Sequence, residues 1–385
     1  MKRRWLIALG LVGGGLLALH LSFPLPYVYR VFVYQDAGYE DIHRFPARVI
    51  APSDAPEALA VSLGSHAREV IEQHPDVDAF DALLAETDTT AFLVAHRGEL
   101  VEERYLLGND RKSPQNTFSV SKSFTSALVG LAVRDGLIEI AAPITRYLPE
   151  LAERDARFAE ITVEHLLDMR SGIRFSDDIE FPILNSDNPL IYYHPDLESV
   201  VLERTEIAEA PGSFRYNNYN PPLLGLILLR VTGLSPGHYL ERELWQPLGA
   251  AGAAGWTTDD HGLERMESGF HARARDLVRF GLLYLADGQV DGRPVVPRRW
   301  VEASTDLAES LELESYNGRT WGYRAGWWIM PRPEGPSDFC AIGRFGQFIY
   351  VSPQYDAVFI RNGPDRGDWG DGDWTELFYF VAERL

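Results

Sequence analysis

Ser119 and Lys122 stand three residues apart in Thr117-Phe118-Ser119-Val120-Ser121-Lys122-Ser123-Phe124, and together the two side chains can perform acyl transfer. Lysine is scarce: of the 36 Lys and Arg residues only Lys2, Lys112 and Lys122 are lysine. Arginine keeps its proton in a protein, whereas a desolvated lysine can lose one and become a base. A chain that otherwise uses arginine therefore places lysine in an apolar stretch beside a serine. Ser119 reads as a nucleophile and Lys122 as its base, in the S-x-x-K pattern. The plainer alternative is a Lys122 that reaches from a helix edge to water.

Two further segments carry polar groups of the right type. Pro211-Gly212-Ser213-Phe214-Arg215-Tyr216-Asn217-Asn218-Tyr219-Asn220 contains Y-x-N in Tyr216 and Asn218. A tyrosine oxygen can relay a proton between nucleophile and leaving group, and an amide can orient the lysine and the acyl carbonyl. An ordinary Asn- and Tyr-rich turn is the alternative. In Ala341-Ile342-Gly343-Arg344-Phe345-Gly346-Gln347, Gly343 and Gly346 would let backbone approach a ligand. An edge strand there could offer an N–H to an acyl oxygen. Alone, this is a glycine turn before a strand.

The elements that must hold these groups are set by periodicity. Ala91 to Ala95 and Leu100 to Tyr105 are β-rich runs around His96-Arg97-Gly98-Glu99, a hairpin. Phe124, Leu128, Leu131 and Ala132 recur at helical spacing until Gly136, so Ser119 and Lys122 fall in the first turn of a helix and share one face. Unpaired N–H groups and the positive dipole end favour an anion at Ser119. From Ile144 to about Leu285 the pattern is mostly helical. It turns β-rich after Val295, at Gly326 to Met330, Gln347 to Val351 and Ala357 to Arg361, with Trp327 and Trp328 facing opposite sides of a sheet. A last helix is expected over Trp374 to Leu385. Strands at both ends around a helical middle predict an α/β (α+β) fold: a central antiparallel sheet from N- and C-terminal segments flanked by helices, with a helical insertion at about 140–285. Residues 24–79, punctuated by Pro46, Pro52 and Pro56, read as a spacer with one short helix from about Ala58 to Glu72.

Composition narrows the function. A net charge of −20 over 385 residues, with no basic tract, excludes a nucleic-acid partner. The single Cys340 excludes an internal disulfide. There is no H-E-x-x-H and no phosphate-binding G-x-x-x-x-G-K-[ST], and neither metal nor organic cofactor is expected. The acidic loop Asp365 to Asp373 matches no EF-hand and reads as solvated. No protein partner is legible.

At the N-terminus Lys2, Arg3 and Arg4 precede an apolar run from Trp5 to Leu21, at the lower limit of roughly 17 residues for a membrane-crossing helix. Ala18-Leu19-His20 stands where a small-x-small cleavage pattern would be, which favours an anchor in residues 1–23 over a cleaved signal. The cations hold the N-terminus in the cytoplasm and send the remainder across, into the periplasm or outside the cell. A cleaved segment would leave a secreted protein.

Taken in order, S-x-x-K, Y-x-N and a glycine-ended triplet before a late strand resemble the serine β-lactamase and penicillin-binding-protein superfamily in its class C branch. His165 to Gly172, Leu244 to Gly249, Trp256 to Asp259 and Ser268 to Gly281 look closest to the nylon-oligomer (aminohexanoate-dimer) hydrolases and related esterases of that branch. The resemblance covers about residues 80–385 and implies the β-lactamase/transpeptidase-like fold. It implies that Ser119 forms an acyl-enzyme, that Lys122 and Tyr216 share the base role, and that Asn218 positions amine and substrate. The oxyanion would lie between the N–H groups of Ser119 and Gln347. The triplet Arg344-Phe345-Gly346 departs from the family, which usually has lysine or histidine first. Arg344 could grip a carboxylate with two prongs but cannot exchange protons. That shifts the expected substrate from a β-lactam to a carboxylic ester or short amide. A D-alanyl peptidase or weak β-lactamase acting on cell-wall substrates, and a non-catalytic peptidoglycan- or ligand-binding module, are the alternatives.

Overall fold

The computed structural model describes residues 23–179, 183–307, 314–316 and 319–385. The expected N-terminal anchor lies almost wholly outside them. Helices are α1 (Leu25–Tyr34), α2 (Ser121–Arg134), α3 (Asn220–Thr232), α4 (Ala274–Leu285) and α5 (Asp371–Ala382), with shorter turns between. The main sheet uses β1 (Ala60–Val61), β2 (Ala91–His96), β3 (Glu99–Tyr105), β4 (Glu314–Tyr316), β5 (Arg319–Arg324), β6 (Trp327–Met330), β7 (Asp338–Gly343), β8 (Gln347–Ser352) and β9 (Ala357–Asn362). Their order is β4-β5-β6-β7-β8-β9-β2-β3-β1. All pairs are antiparallel except the two-residue β1, which runs parallel to β3. The N-terminal hairpin thus closes against the last C-terminal strand, as the sequence pattern requires.

Local chemistry explains the joints. Between β2 and β3 both central turn residues, Arg97 (φ 52°) and Gly98 (φ 78°), are left-handed, which matches the twist of a two-residue hairpin. Helix α2 buries Phe124, Leu128, Leu131 and Ala132, and ends where Gly136 takes φ 71°. Both faces of the sheet are covered. Leu93, Ala95, Trp327 and Ala341 join the core shared with α2 and α4, while Phe92, Val94, Trp328 and Cys340 join a second core against α5. The two tryptophans do face opposite sides. Helix α5 begins three residues earlier than expected, at Asp371, because the Asp373 carboxylate accepts the Gly370 N–H at 2.8 Å.

Residues 24–79 are not a spacer. Tyr27, Val31, Phe45 and Ile50 are buried in the α2-side core, and the Tyr27 hydroxyl donates to Leu184 O at 2.8 Å. Strand Ala47–Ile50 pairs with Ala254–Thr257 in a second sheet completed by Phe270–Arg273 and Pro114–Asn116. The prolines do break the segment into short elements, but each element delivers an aromatic or aliphatic anchor to the core. The expected helix over Ala58 to Glu72 contracts to His66–Ile71, since Ala60–Val61 is drawn out as the sheet edge. Among the described residues no single helix is long and apolar enough to cross a membrane. One bent pair, Asn220–Thr232 with Pro236–Trp245, passes on length and composition, turns by 70° and is largely buried in the core.

Candidate active site

Strand Pro114–Asn116 runs antiparallel to Phe270–Arg273 and delivers the chain to a single 3-10 turn, Phe118–Val120, on which α2 is built. Ser119 lies in that turn, one turn before the α-helix proper. Phe118 has φ 46°, an unfavourable conformation for a bulky residue, costing on the order of 1–3 kcal/mol. Its surroundings hold it there. The Phe118 N–H donates to Asn116 Oδ1 at 3.2 Å, Ser121 Oγ donates to Phe118 O at 2.6 Å, and the ring meets Phe345 edge-on at 5.4 Å. Strand β7 presses against the same turn: a Cβ on Gly343 would lie 2.2 Å from Thr117 O, so only glycine fits. The close approach at Gly343 is thus to the chain's own Thr117 carbonyl and not to a ligand.

Lys122, in the first turn of α2, is 4% exposed. Its Nζ donates to Ser119 Oγ at 2.9 Å and to Glu267 O at 2.9 Å, and lies 4.9 Å from the Tyr216 ring centroid. Burial lowers its pKa to about 7, against the opposing pull of Glu267 and Asp177. Near neutral pH a large share of this amine is free to accept a proton. The reading in which it reaches to bulk water is excluded.

Tyr216 stacks on Trp328 at 6.0 Å and 18° and packs against Tyr323. Burial drives its phenol far above the usual tyrosine range, with Ser119 within reach of the oxygen and pulling the other way. The phenol is therefore neutral and suited to hand on a proton. Its loop is anchored on His165-Gly172, where Arg215 N–H donates to Met169 O at 2.8 Å. Asp168, whose carboxyl burial pushes up to about 6, ties that stretch to β5 through the Ala325 N–H at 3.0 Å and Arg324 at 3.1 Å.

In front of Ser119 opens a cavity of about 260 Å³ bordered by Asp177, Asn218, Glu267 and Arg344. Asn218 Nδ2 donates to Asn188 Oδ1 at 3.1 Å, and its buried Oδ1 has no protein partner. Arg344 does grip a carboxylate with two prongs, but it is Asp36 of the same chain: Nη1 meets Oδ1 at 2.8 Å and Nη2 meets Oδ2. That contact holds the Asp36 carboxyl below the usual carboxylate range. Gly346 and Gln347 lie off the cavity wall. The bare face of Gly346 points to Arg361 and Arg366, and the Gln347 amide braces the hairpin through Arg344 O at 3.0 Å and Gly363 O at 2.6 Å. The fold thus gathers Ser119, Lys122, Tyr216, Asn218 and Arg344; the Gln347 side chain turns into the hairpin, while its backbone opens β8, which packs against the Ser119 turn.

Two contributors carried no local signal. Glu267 is 3% exposed, its carboxyl pushed up by burial. Its Oε1 accepts the Ser268 hydroxyl at 2.8 Å, and Oε2 is buried without a protein partner. It is a lone acid one residue before the motif-like run that starts at Ser268. Gln35, Asp36 and Ala37, from the supposed spacer, form part of the wall. Among the described residues no group of three or more His, Cys, Asp or Glu is arranged to hold a metal ion.

The strained turn, its serine and the desolvated lysine under a tyrosine ring all lie within residues 77–364, the stretch matched by the beta-lactamase family model. The chain belongs to the beta-lactamase family. It is similar to the 6-aminohexanoate-dimer hydrolase of Paenarthrobacter ureafaciens, with 30% identity over 75% of each chain. The beta-lactamase of Escherichia coli K12 is 31% identical over 34% of this chain and 32% of that one. Among solved structures, a Bacillus anthracis protein carrying a provisional name as a 6-aminohexanoate-dimer hydrolase superposes with TM-score 0.76 at 23% identity, over 94% of this chain and 95% of that one. A class C beta-lactamase superposes with TM-score 0.62 at 16% identity, over 83% and 97%. These superpositions establish the β-lactamase/transpeptidase-like fold expected from the sequence.

Proposed function

We propose that the protein is a serine hydrolase of carboxylic esters or amides, acting through an acyl-enzyme on Ser119. The observation that carries this reading is the 2.9 Å hydrogen bond between Ser119 Oγ and a buried Lys122 whose pKa is about 7. The neutral amine takes the hydroxyl proton as Ser119 Oγ attacks the carbonyl carbon. The proton then passes through the Tyr216 phenol to the leaving alcohol or amine, and water releases the acid by the reverse route. Tyr216 serves as relay rather than as base, because forming its phenolate in this burial is far harder than using the amine. Naming of relatives as hydrolases supports the assignment. The Arg344–Asp36 pair supports a substrate without a carboxylate at that position, since the guanidinium is engaged. Cell-wall peptides ending in D-alanine and β-lactams fit less well for that reason. The run Lys2 to Leu21 supports a membrane anchor with the catalytic domain outside the cytoplasm.

The test is a fluorophosphonate label on the full chain beside Ser119→Ala, then a panel of p-nitrophenyl acyl esters, a chromogenic cephalosporin and D-Ala-D-Ala peptides. Ser119 should take the label and short-chain esters should turn over while the cephalosporin barely does. Label on another serine, or on none, overturns the assignment.

A further inference from the structure

Helix α1 is apolar all round, LPYVYRVFVY, broken only by Arg30. One side is packed: Tyr27 and Val31 are buried, and Arg30 pairs with Asp260 at 2.5 Å. The other side is bare. Leu25, Tyr29, Phe32 and Val33 are 57%, 56%, 57% and 53% exposed, and their spacing of four, three and one places them on a single stripe. Large apolar side chains scattered singly on a surface need no explanation, but four on one helical face do. The chain ahead of the helix indicates what covers them. Only three residues separate the apolar run Trp5 to Leu21 from α1, so an anchored chain emerges from the bilayer directly into this helix.

The residues just after the helix tie it to the site. Gln35 takes φ 61°, which stops α1 and turns the chain sharply. Asp36 then clasps Arg344, and Gln35, Asp36 and Ala37 become cavity wall beside Ser119. Ile191, Tyr192 and Tyr193 line the same cavity. Exposed stripe and cavity wall are therefore neighbouring parts of one short segment.

We propose that α1 lies in the membrane interface through Leu25, Tyr29, Phe32 and Val33, and sets the mouth of the Ser119 cavity against the bilayer. The substrate class this placement selects is an ester or amide whose apolar part is dissolved in lipid. This rests on the anchor and the serine chemistry proposed above. The net charge of −20 makes apolar insertion, rather than attraction to anionic headgroups, the binding force.

The test uses the full chain in phosphatidylcholine vesicles, with an environment-sensitive fluorophore on Phe32→Cys and, for comparison, on Leu137→Cys beyond the far end of α2. Cys340 stays in place because it is buried and its thiol is pushed well up. The Phe32 label should be blue-shifted and quenched by nitroxide lipids, and the Leu137 label neither. In parallel, Leu25→Gln/Phe32→Gln should lower hydrolysis of a long-chain ester embedded in the vesicles by about tenfold and leave a water-soluble short-chain ester unchanged. A Phe32 label in water on protein that floats with vesicles overturns the proposal. So does a label shielded without lipid quenching, which would mean that a second copy or another protein covers the stripe. Protein that does not float overturns the anchor as well. Failure to hydrolyse the soluble ester would instead remove the serine chemistry and with it the substrate class, while the label still decides where α1 lies.

Discussion

Replacing Lys122 by methionine removes the amine and keeps its volume, and the expected result is a dead enzyme that is more stable at neutral pH. A lysine held at about 7 instead of 10.5 corresponds to about 5 kcal/mol of burial penalty on its charged form. Against this, the variant loses the hydrogen bonds to Ser119 Oγ and Glu267 O, each worth about 1 kcal/mol net. A gain of roughly 2–3 kcal/mol remains. The sign with pH comes from linkage. The folded pKa is depressed, so the unfolded chain binds the extra proton between about 7 and 10.5, and the wild type gains stability as pH rises through that window. The advantage of Lys122→Met is full below pH 7 and shrinks by about 3 kcal/mol between pH 6.5 and 9.5. Urea denaturation of both proteins at those two pH values measures it, repeated in a Glu267→Gln background to remove the neighbouring carboxyl. Ester hydrolysis should fall by about 10³ or more. A stability difference that is the same at both pH values would refute the claim that this amine is desolvated in the folded protein.

Other consequences are smaller but separable. Wild-type kcat/KM should rise with pH through an apparent pKa near 7, and Glu267→Gln should move that limb to lower pH, because Glu267 pulls the Lys122 pKa up. A shift upward would contradict the geometry. Tyr216→Phe should cut kcat by roughly 10²–10³ with KM little changed and the acid limb in place, since the phenol relays the proton but is not the base. Asp36→Asn should change stability by less than about 0.5 kcal/mol, as expected for an exposed pair. It should also lower KM for esters that carry a carboxylate, by freeing Arg344, and an unchanged KM would mean that the guanidinium is not available to substrate.

Relations within a few residues along the chain were legible from the sequence, because backbone geometry alone relates such neighbours. One helical turn puts Ser119 and Lys122 together, Arg97-Gly98 closes the hairpin, and alternation lays out β6, β8 and β9 with Trp327 and Trp328 on opposite faces. Motif order also located Tyr216 and Asn218. Long-range packing decided the rest. Glu267 is separated from Lys122 by 145 residues, and Arg344 from Asp36 by 308. A lone acid in a chain with 56 Asp and Glu residues announces nothing about which cation it will meet. Phe118 at φ 46° is set by the second sheet and by β7, not by its own preference. The short elements of residues 24–79 looked like linker because no local pattern tells an aromatic that will be buried from one that will stay in water. The sequence determined that a lysine would come one helical turn after a serine. Only the tertiary structure decided that this lysine is sealed from water, since desolvation is a property of everything packed around the amine.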